Sequence, residues 1–174
     1  PGVRDAHGAD GYSVRGALQV DFSENFLADV RVVTSADKDV PSGTFSVDFT
    51  SFDPNTGLGV NAPGRLTDKL DHASSFEGRY DRDSVNATTT LTWTLNDSVE
   101  LTSITNYFDL DKKYLEDAGG GLFFFPYEVN TQFDTFSQEL RLSGASERVR
   151  WQAGAYYLDM STETEQSVQG LAIL

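Results

Sequence analysis

Val85-Asn86-Ala87-Thr88-Thr89-Thr90-Leu91-Thr92-Trp93-Thr94-Leu95, closed by Asn96-Asp97-Ser98, is the stretch whose reading decides the fold. Val85, Ala87, Leu91, Trp93 and Leu95 fall on one face of an extended chain, and Asn86, Thr88, Thr90, Thr92 and Thr94 fall on the other. Period-two alternation with β-branched polar residues predicts a strand that is apolar on one side only. Asn96-Asp97-Ser98 predicts a tight turn, because Asn, Asp and Ser side chains bond to nearby backbone. The return strand runs from about Val99 to Leu110. Its facing stays open, since Leu101, Thr105 and Tyr107 lie on one side and Ile104 and Phe108 on the other.

The same form recurs on either side. Tyr12, Val14, Gly16, Leu18, Val20 and Phe22 alternate with Ser13, Arg15, Ala17, Gln19 and Asp21. A turn at Ser23-Glu24-Asn25 leads into Phe26, Ala28, Val30 and Val32, with Asp29 and Arg31 opposite, so a hairpin is predicted. A third pair runs from Phe136, Gln138, Leu140 and Leu142 through a turn at 144–148 into Val149, Trp151, Ala153, Ala155 and Tyr157. Glu139, Arg141, Arg150 and Gln152 take its polar side.

Composition agrees with an all-β chain. Aromatic residues make up 12% and Gly is frequent, while Cys is absent and Met occurs once. Without Cys there is neither a disulfide framework nor a thiolate metal site. The net charge of −14 leaves too few cations to meet a phosphate backbone, so no nucleic-acid partner is expected. No run of about 18 apolar residues is present, so any membrane crossing would be made by strands. The chain opens on Pro1-Gly2 and ends on Leu171-Ala172-Ile173-Leu174, and it is read as an excerpt of something longer.

Between the hairpins lie long polar stretches, from about Asp37 to Ser84 and from about Asp111 to Asp134. Compact soluble domains rarely hold structureless loops beyond about 12 to 15 residues. Outer-membrane barrels alternate short periplasmic turns with long extracellular loops, and about 9 to 11 tilted residues cross the hydrocarbon. The expected fold is therefore an antiparallel, up-and-down transmembrane β-barrel segment. It has about six strands in three hairpins, and residues 1–174 make one partial barrel with no plug domain and no linker.

Aromatic placement fits that expectation. Phe22, Phe26, Trp93 and Trp151 lie near the short turns, and Tyr12, Tyr107, Phe136 and Tyr157 lie toward the long loops, as two interfacial girdles would. At roughly 3.3 Å per residue and a tilt near 45°, Tyr12 to Phe22 spans about 23 Å, against an apolar band of roughly 25 Å. Trp151 and Tyr157 are nearer together and fit less well. The competing reading is a secreted or surface β-sandwich that binds carbohydrate or protein, its apolar faces packed on a second sheet. A porin-type barrel is a further alternative.

Several motifs resemble the barrel region of TonB-dependent receptors: Leu101-Thr102-Ser103-Ile104-Thr105-Asn106-Tyr107, then Tyr114-Leu115-Glu116-Asp117, then Phe136-Ser137-Gln138-Glu139-Leu140-Arg141-Leu142-Ser143. The run Val149-Arg150-Trp151-Gln152-Ala153-Gly154-Ala155-Tyr156-Tyr157 is similar to the strand that follows them. The likeness covers roughly the second half of the chain and rests on the order of the motifs. It implies a 22-stranded barrel in the bacterial outer membrane, a plug domain in the lumen, and a periplasmic protein that couples inner-membrane energy to uptake. A small molecule or metal chelate would be the substrate, with an iron-siderophore as the family default. Outer-membrane lipid, the remainder of the barrel and the plug would be the partners.

On this reading Arg15, Asp29, Arg31, Glu139, Arg141 and Arg150 face the lumen, where a mixed-sign ladder is first of all structural. Gly119-Gly120-Gly121-Leu122-Phe123-Phe124-Phe125-Pro126-Tyr127 is the most unusual segment. Together with Tyr114, the rings of Phe123, Phe124, Phe125 and Tyr127 are the candidate ligand contacts in an extracellular loop, although packing against neighbouring loops would explain them as well. Asp109, Asp111, Glu116 and Asp117 invite a calcium reading that fails at Lys113 and lacks a central Gly. His7 and His72 have no partner motif, so no metal site is expected. With no nucleophile elbow and no Cys nucleophile, neither an enzyme nor a cofactor is expected.

Overall fold

A computed structural model of the chain describes residues 10–40, 50–52, 59–61, 76, 78–117 and 126–169. These are all-β, with no helix among them. In chain order the strands are β1 (Gly11–Ser23), β2 (Phe26–Val40), β3 (Thr50–Phe52), β4 (Gly59–Asn61), β5 (Arg79–Asn96), β6 (Val99–Asp117), β7 (Pro126–Ala145) and β8 (Arg150–Val168). Six of them form one antiparallel up-and-down sheet in the order β1-β2-β5-β6-β7-β8, and β3 pairs with β4 in a separate ribbon.

Three short turns carry their own bonding. Ser23 Oγ donates to Asn25 Oδ1 at 2.7 Å, and the backbone N–H of Ser98 donates to Asn96 Oδ1 at 2.9 Å. Ser146 N–H reaches Val149 O at 2.8 Å, and the Val149 N–H returns to Ser146 Oγ at 3.2 Å. Short polar side chains close these turns, as their composition implies. Register shifts beside two of the turns leave Phe22 and Leu95 as extra residues, which bend the strand locally.

Pairing register assigns the paired residues of the sheet to two faces. The tryptophan face carries Trp93 and Trp151; the arginine face carries Arg31 and Arg141. Leu101 pairs with Trp93 and Tyr107 with Phe136, so β6 puts Leu101, Thr105 and Tyr107 on the tryptophan face and Ile104 and Phe108 on the other. Neighbouring strands thus settle a facing that β6 alone left open.

The strands are longer than their alternation predicts. β6 continues past Leu110 to Asp117, β7 begins at Pro126, and β5 begins at Arg79. The expected loop over 111–134 is therefore mostly strand, with Asp111↔Gln132 and Tyr114↔Val129 in register. The reason is physical: the apolar residues change faces near Tyr107, so alternation on one side stops while the backbone ladder goes on.

The sheet has almost no core. Among the described residues the buried apolar side chains of the sheet are Ala28, Ala36 and Pro126, whereas Leu18 is 62% and Phe22 66% exposed.

Candidate functional site

The tryptophan face is apolar toward the short turns. Phe22, Phe26 and Trp93 form a continuous aromatic row, with ring centroids 5.6 Å apart for Phe22 and Phe26 and 6.3 Å for Phe26 and Trp93. Phe136 and Tyr157 approach at 6.3 Å on the same face. Tyr12, Phe26, Trp93, Tyr107, Phe136, Trp151 and Tyr157 share this side by register, and Phe22, the unpaired residue of the bulge, joins them through its contact with Phe26. The Trp151 ring lies over Gly144, where an added Cβ would stand 2.5 Å from it. Only glycine leaves room for that ring.

A polar trio interrupts the apolar face, and it satisfies itself. Thr105 Oγ1 donates to Gln138 Oε1 at 2.6 Å, and Gln138 Nε2 donates to Ser103 Oγ at 2.9 Å. Such pairing removes most of the cost of placing these groups in apolar surroundings.

Running outward from the short turns, the apolar series on this face first gives way to a charged residue after Tyr12, Ala36, Val85, Tyr107, Phe136 and Tyr157, in sheet order, with Leu115 and Pro126 standing farther out beyond the charged residues. Tyr12 pairs with Ala36, Ala36 with Asp83, Val85 with Asp109, Tyr107 with Phe136, and Phe136 with Asp159. The limit therefore steps down by two residues at β5, β6 and β8. With about 3.3 Å per residue and about 4.8 Å between strands, it drops about 20 Å over about 24 Å of sheet, an angle of about 40°.

Beyond that limit the faces exchange character. The tryptophan face becomes acidic, with Asp109 directly opposite Asp134 and Asp83 opposite Asp111. Lys38 bridges to Asp83, which raises the lysine pKa. The arginine face becomes apolar and aromatic. Phe108 and Phe133 approach at 5.8 Å, and Tyr80 and Tyr114 meet edge to face at 6.4 Å. The Tyr114 hydroxyl donates to Glu116, and burial together with that carboxylate raises the phenol pKa well above its ordinary value.

Toward the turns the arginine face is polar. Arg15, Asp29, Arg31, Glu139, Arg141 and Arg150 share it by register. Asp29 and Arg31 pair at 2.8 Å along β2, and Arg141 Nε donates to Glu139 at 2.9 Å along β7. Asn106 Nδ2 donates to Asn86 Oδ1 at 2.9 Å and to Thr88 Oγ1 at 2.8 Å. These contacts lie within strands or between neighbours and make a lattice rather than a pocket.

Of the candidate ligand contacts, Tyr114 stands in β6 and Tyr127 in β7, on strands rather than in a loop. Both project on the arginine face. Phe123, Phe124 and Phe125 lie outside the described residues. Lys112, two residues before Tyr114 on the same face, was not singled out by the sequence reading; the period-two series Phe108, Leu110, Lys112, Tyr114 is the signal that marks it. Among the described residues no group of three or more His, Asp or Glu side chains is placed to hold a metal ion.

Comparisons with protein-family models, with curated proteins and with solved structures return no match to this chain.

Proposed function

We propose that this chain is part of the wall of a bacterial outer-membrane β-barrel, with the tryptophan face toward lipid and the arginine face toward the lumen. The observation that carries the reading is the oblique limit of the apolar face. Strands of transmembrane barrels tilt by about 35 to 45°, so a flat membrane surface must cut their register at about that angle. The drift of about 40° matches it. Wide exposure of Leu18, Phe22 and Tyr157 with almost no core fits lipid as the missing contact. A β-sandwich would need a second sheet on that face, and the described residues offer only the ribbon of three-residue strands β3 and β4.

We further propose that the barrel is that of a TonB-dependent receptor, which takes up a scarce nutrient such as an iron-siderophore and draws energy through a periplasmic coupling protein. Support comes from the ordered strand motifs of β6 to β8. It comes also from β8, which is apolar on both faces between Ala153 and Leu158, the pattern of a strand covered on both sides. Lipid covers one side, and the plug is the partner for Tyr156, Leu158 and Met160 on the other.

The test is to express residues 1–174 without detergent and follow size exclusion and a thermal melt by circular dichroism. Aggregation, or a need for detergent, is expected from lipid-facing strands with open edges at β1 and β8. A monodisperse β monomer melting cooperatively in water would overturn the reading.

A further inference from the structure

The arginine face above the apolar limit holds a cation in a setting that its charge does not explain. Lys112 stands directly opposite Arg82 on one side and Thr131 on the other. Tyr80, Leu110, Tyr114 and Phe133 surround it on the adjacent rows. Like charges facing each other across a strand pair repel. Arg82 is compensated by Asp37, at 2.7 Å, and Glu116 is engaged by the Tyr114 hydroxyl. Lys112 has no ion-pair partner among the described residues. In a chain with 27 acidic and 13 basic residues, an uncompensated lysine set among rings is a local exception.

We infer that Lys112 and the surrounding rings bind an aromatic carboxylate, the ammonium taking the carboxylate and the flat apolar faces of Tyr80, Tyr114 and Phe133 taking the ring. An anion here would relieve the repulsion from Arg82 and make a charge-assisted hydrogen bond to the ammonium. The rings supply edge and face contacts for a planar group, and Thr131 supplies a hydroxyl. The opposite face excludes such a ligand, because Asp83, Asp109, Asp111 and Asp134 stand there. The inference rests on the proposed barrel, which makes the arginine face the interior wall of an extracellular vestibule.

Lys112 and Lys113 are adjacent in sequence and project on opposite faces, so each is the control for the other. The full-length protein that carries this chain, in lipid nanodiscs, would be titrated with 2-naphthoate and with its neutral counterpart 2-naphthylmethanol, observed by saturation-transfer NMR. The expected result is a preference for the carboxylate that Lys112→Gln weakens by about tenfold, the scale of one hydrogen bond to a charged group. Lys112→Arg should retain the preference, and Lys113→Gln should leave it unchanged. No binding of 2-naphthoate, no preference over the carbinol, or an equal loss in Lys113→Gln would each overturn the inference. Quenching of Trp93 and Trp151 by brominated lipid in the same nanodiscs reads the barrel independently. Quenching without carboxylate preference removes the ligand site alone, whereas no quenching removes the barrel reading beneath it.

Discussion

The turn-side and far halves of the same strands carry opposite patterns. Near the turns the tryptophan face holds Val20, Ala28, Leu91 and Leu140 while the arginine face holds Gln19, Asp29, Thr90 and Glu139. Farther along, the tryptophan face holds Asp83, Asp109 and Asp134, and the arginine face holds Phe108, Leu110 and Phe133. The backbone ladder does not change between them. What changes is the character of each face, so the exchange is not the end of a strand; in the proposed barrel it is the boundary between lipid and water.

The largest effect expected from that contrast is at Leu91 and Thr90, neighbours in β5 on opposite faces. Leu91→Arg places a charge in the apolar band and should cost the full-length protein about 2 to 4 kcal/mol in bilayer unfolding experiments. Thr90→Arg should change little. Equal costs for the two would break the assignment of faces. Next comes Gly144→Ala, which drives a methyl into the Trp151 ring and should cost about 1 to 3 kcal/mol, with a shift in tryptophan emission as the ring is displaced.

Titration sharpens the far half. Because burial and Glu116 raise the Tyr114 pKa, its neutral form is the one favoured by folding. The resulting stability is present in full below about pH 10, the unfolded value, and is lost as pH rises through the raised folded value. The phenolate absorbance gained at 295 nm as the pH is raised to about 11 should therefore be the same in wild type and in Tyr114→Phe. A smaller amplitude in the variant would place Tyr114 in water. The smallest effect is at Asp109→Asn, which relieves a directly opposed pair with Asp134. It should stabilise the sheet by a few tenths of a kcal/mol, about the scale of one cross-strand contact, and less at high salt.

Sequence legibility followed the same boundary. Tyr12 to Phe22 and Val85 to Leu95 were readable because, Ala17 and Thr89 apart, one face is apolar or glycine and the other polar. Asp109-Leu110-Asp111-Lys112-Lys113-Tyr114 alternates too, but with the polar residues moved to the other face, and its charge density reads as a loop. The direction of β6 at Tyr107 and Phe108 could be settled only by the partners across the ladder. For the candidate site, Tyr114 and Tyr127 stand out in the sequence as rings and Lys112 is marked by the period-two series Phe108, Leu110, Lys112, Tyr114, but that Lys112 stands opposite Arg82 is visible only from the register.

One feature of the topology bears on how the sheet assembles. β1 and β2, β5 and β6, and β7 and β8 are joined by short turns, and each such pair can zip from its turn as soon as it is made. β5 reaches β2 only after residues 41–78 have been spanned. Closing that excursion instead of a two-residue turn costs roughly 2 to 3 kcal/mol in chain entropy before the rung nearest to it, Val40 with Tyr80, forms. The sheet is thus set to grow in bursts, with a pause after β2 that ends when Val40 meets Tyr80, and the contact of Phe26 with Trp93 closes the far end of that pair.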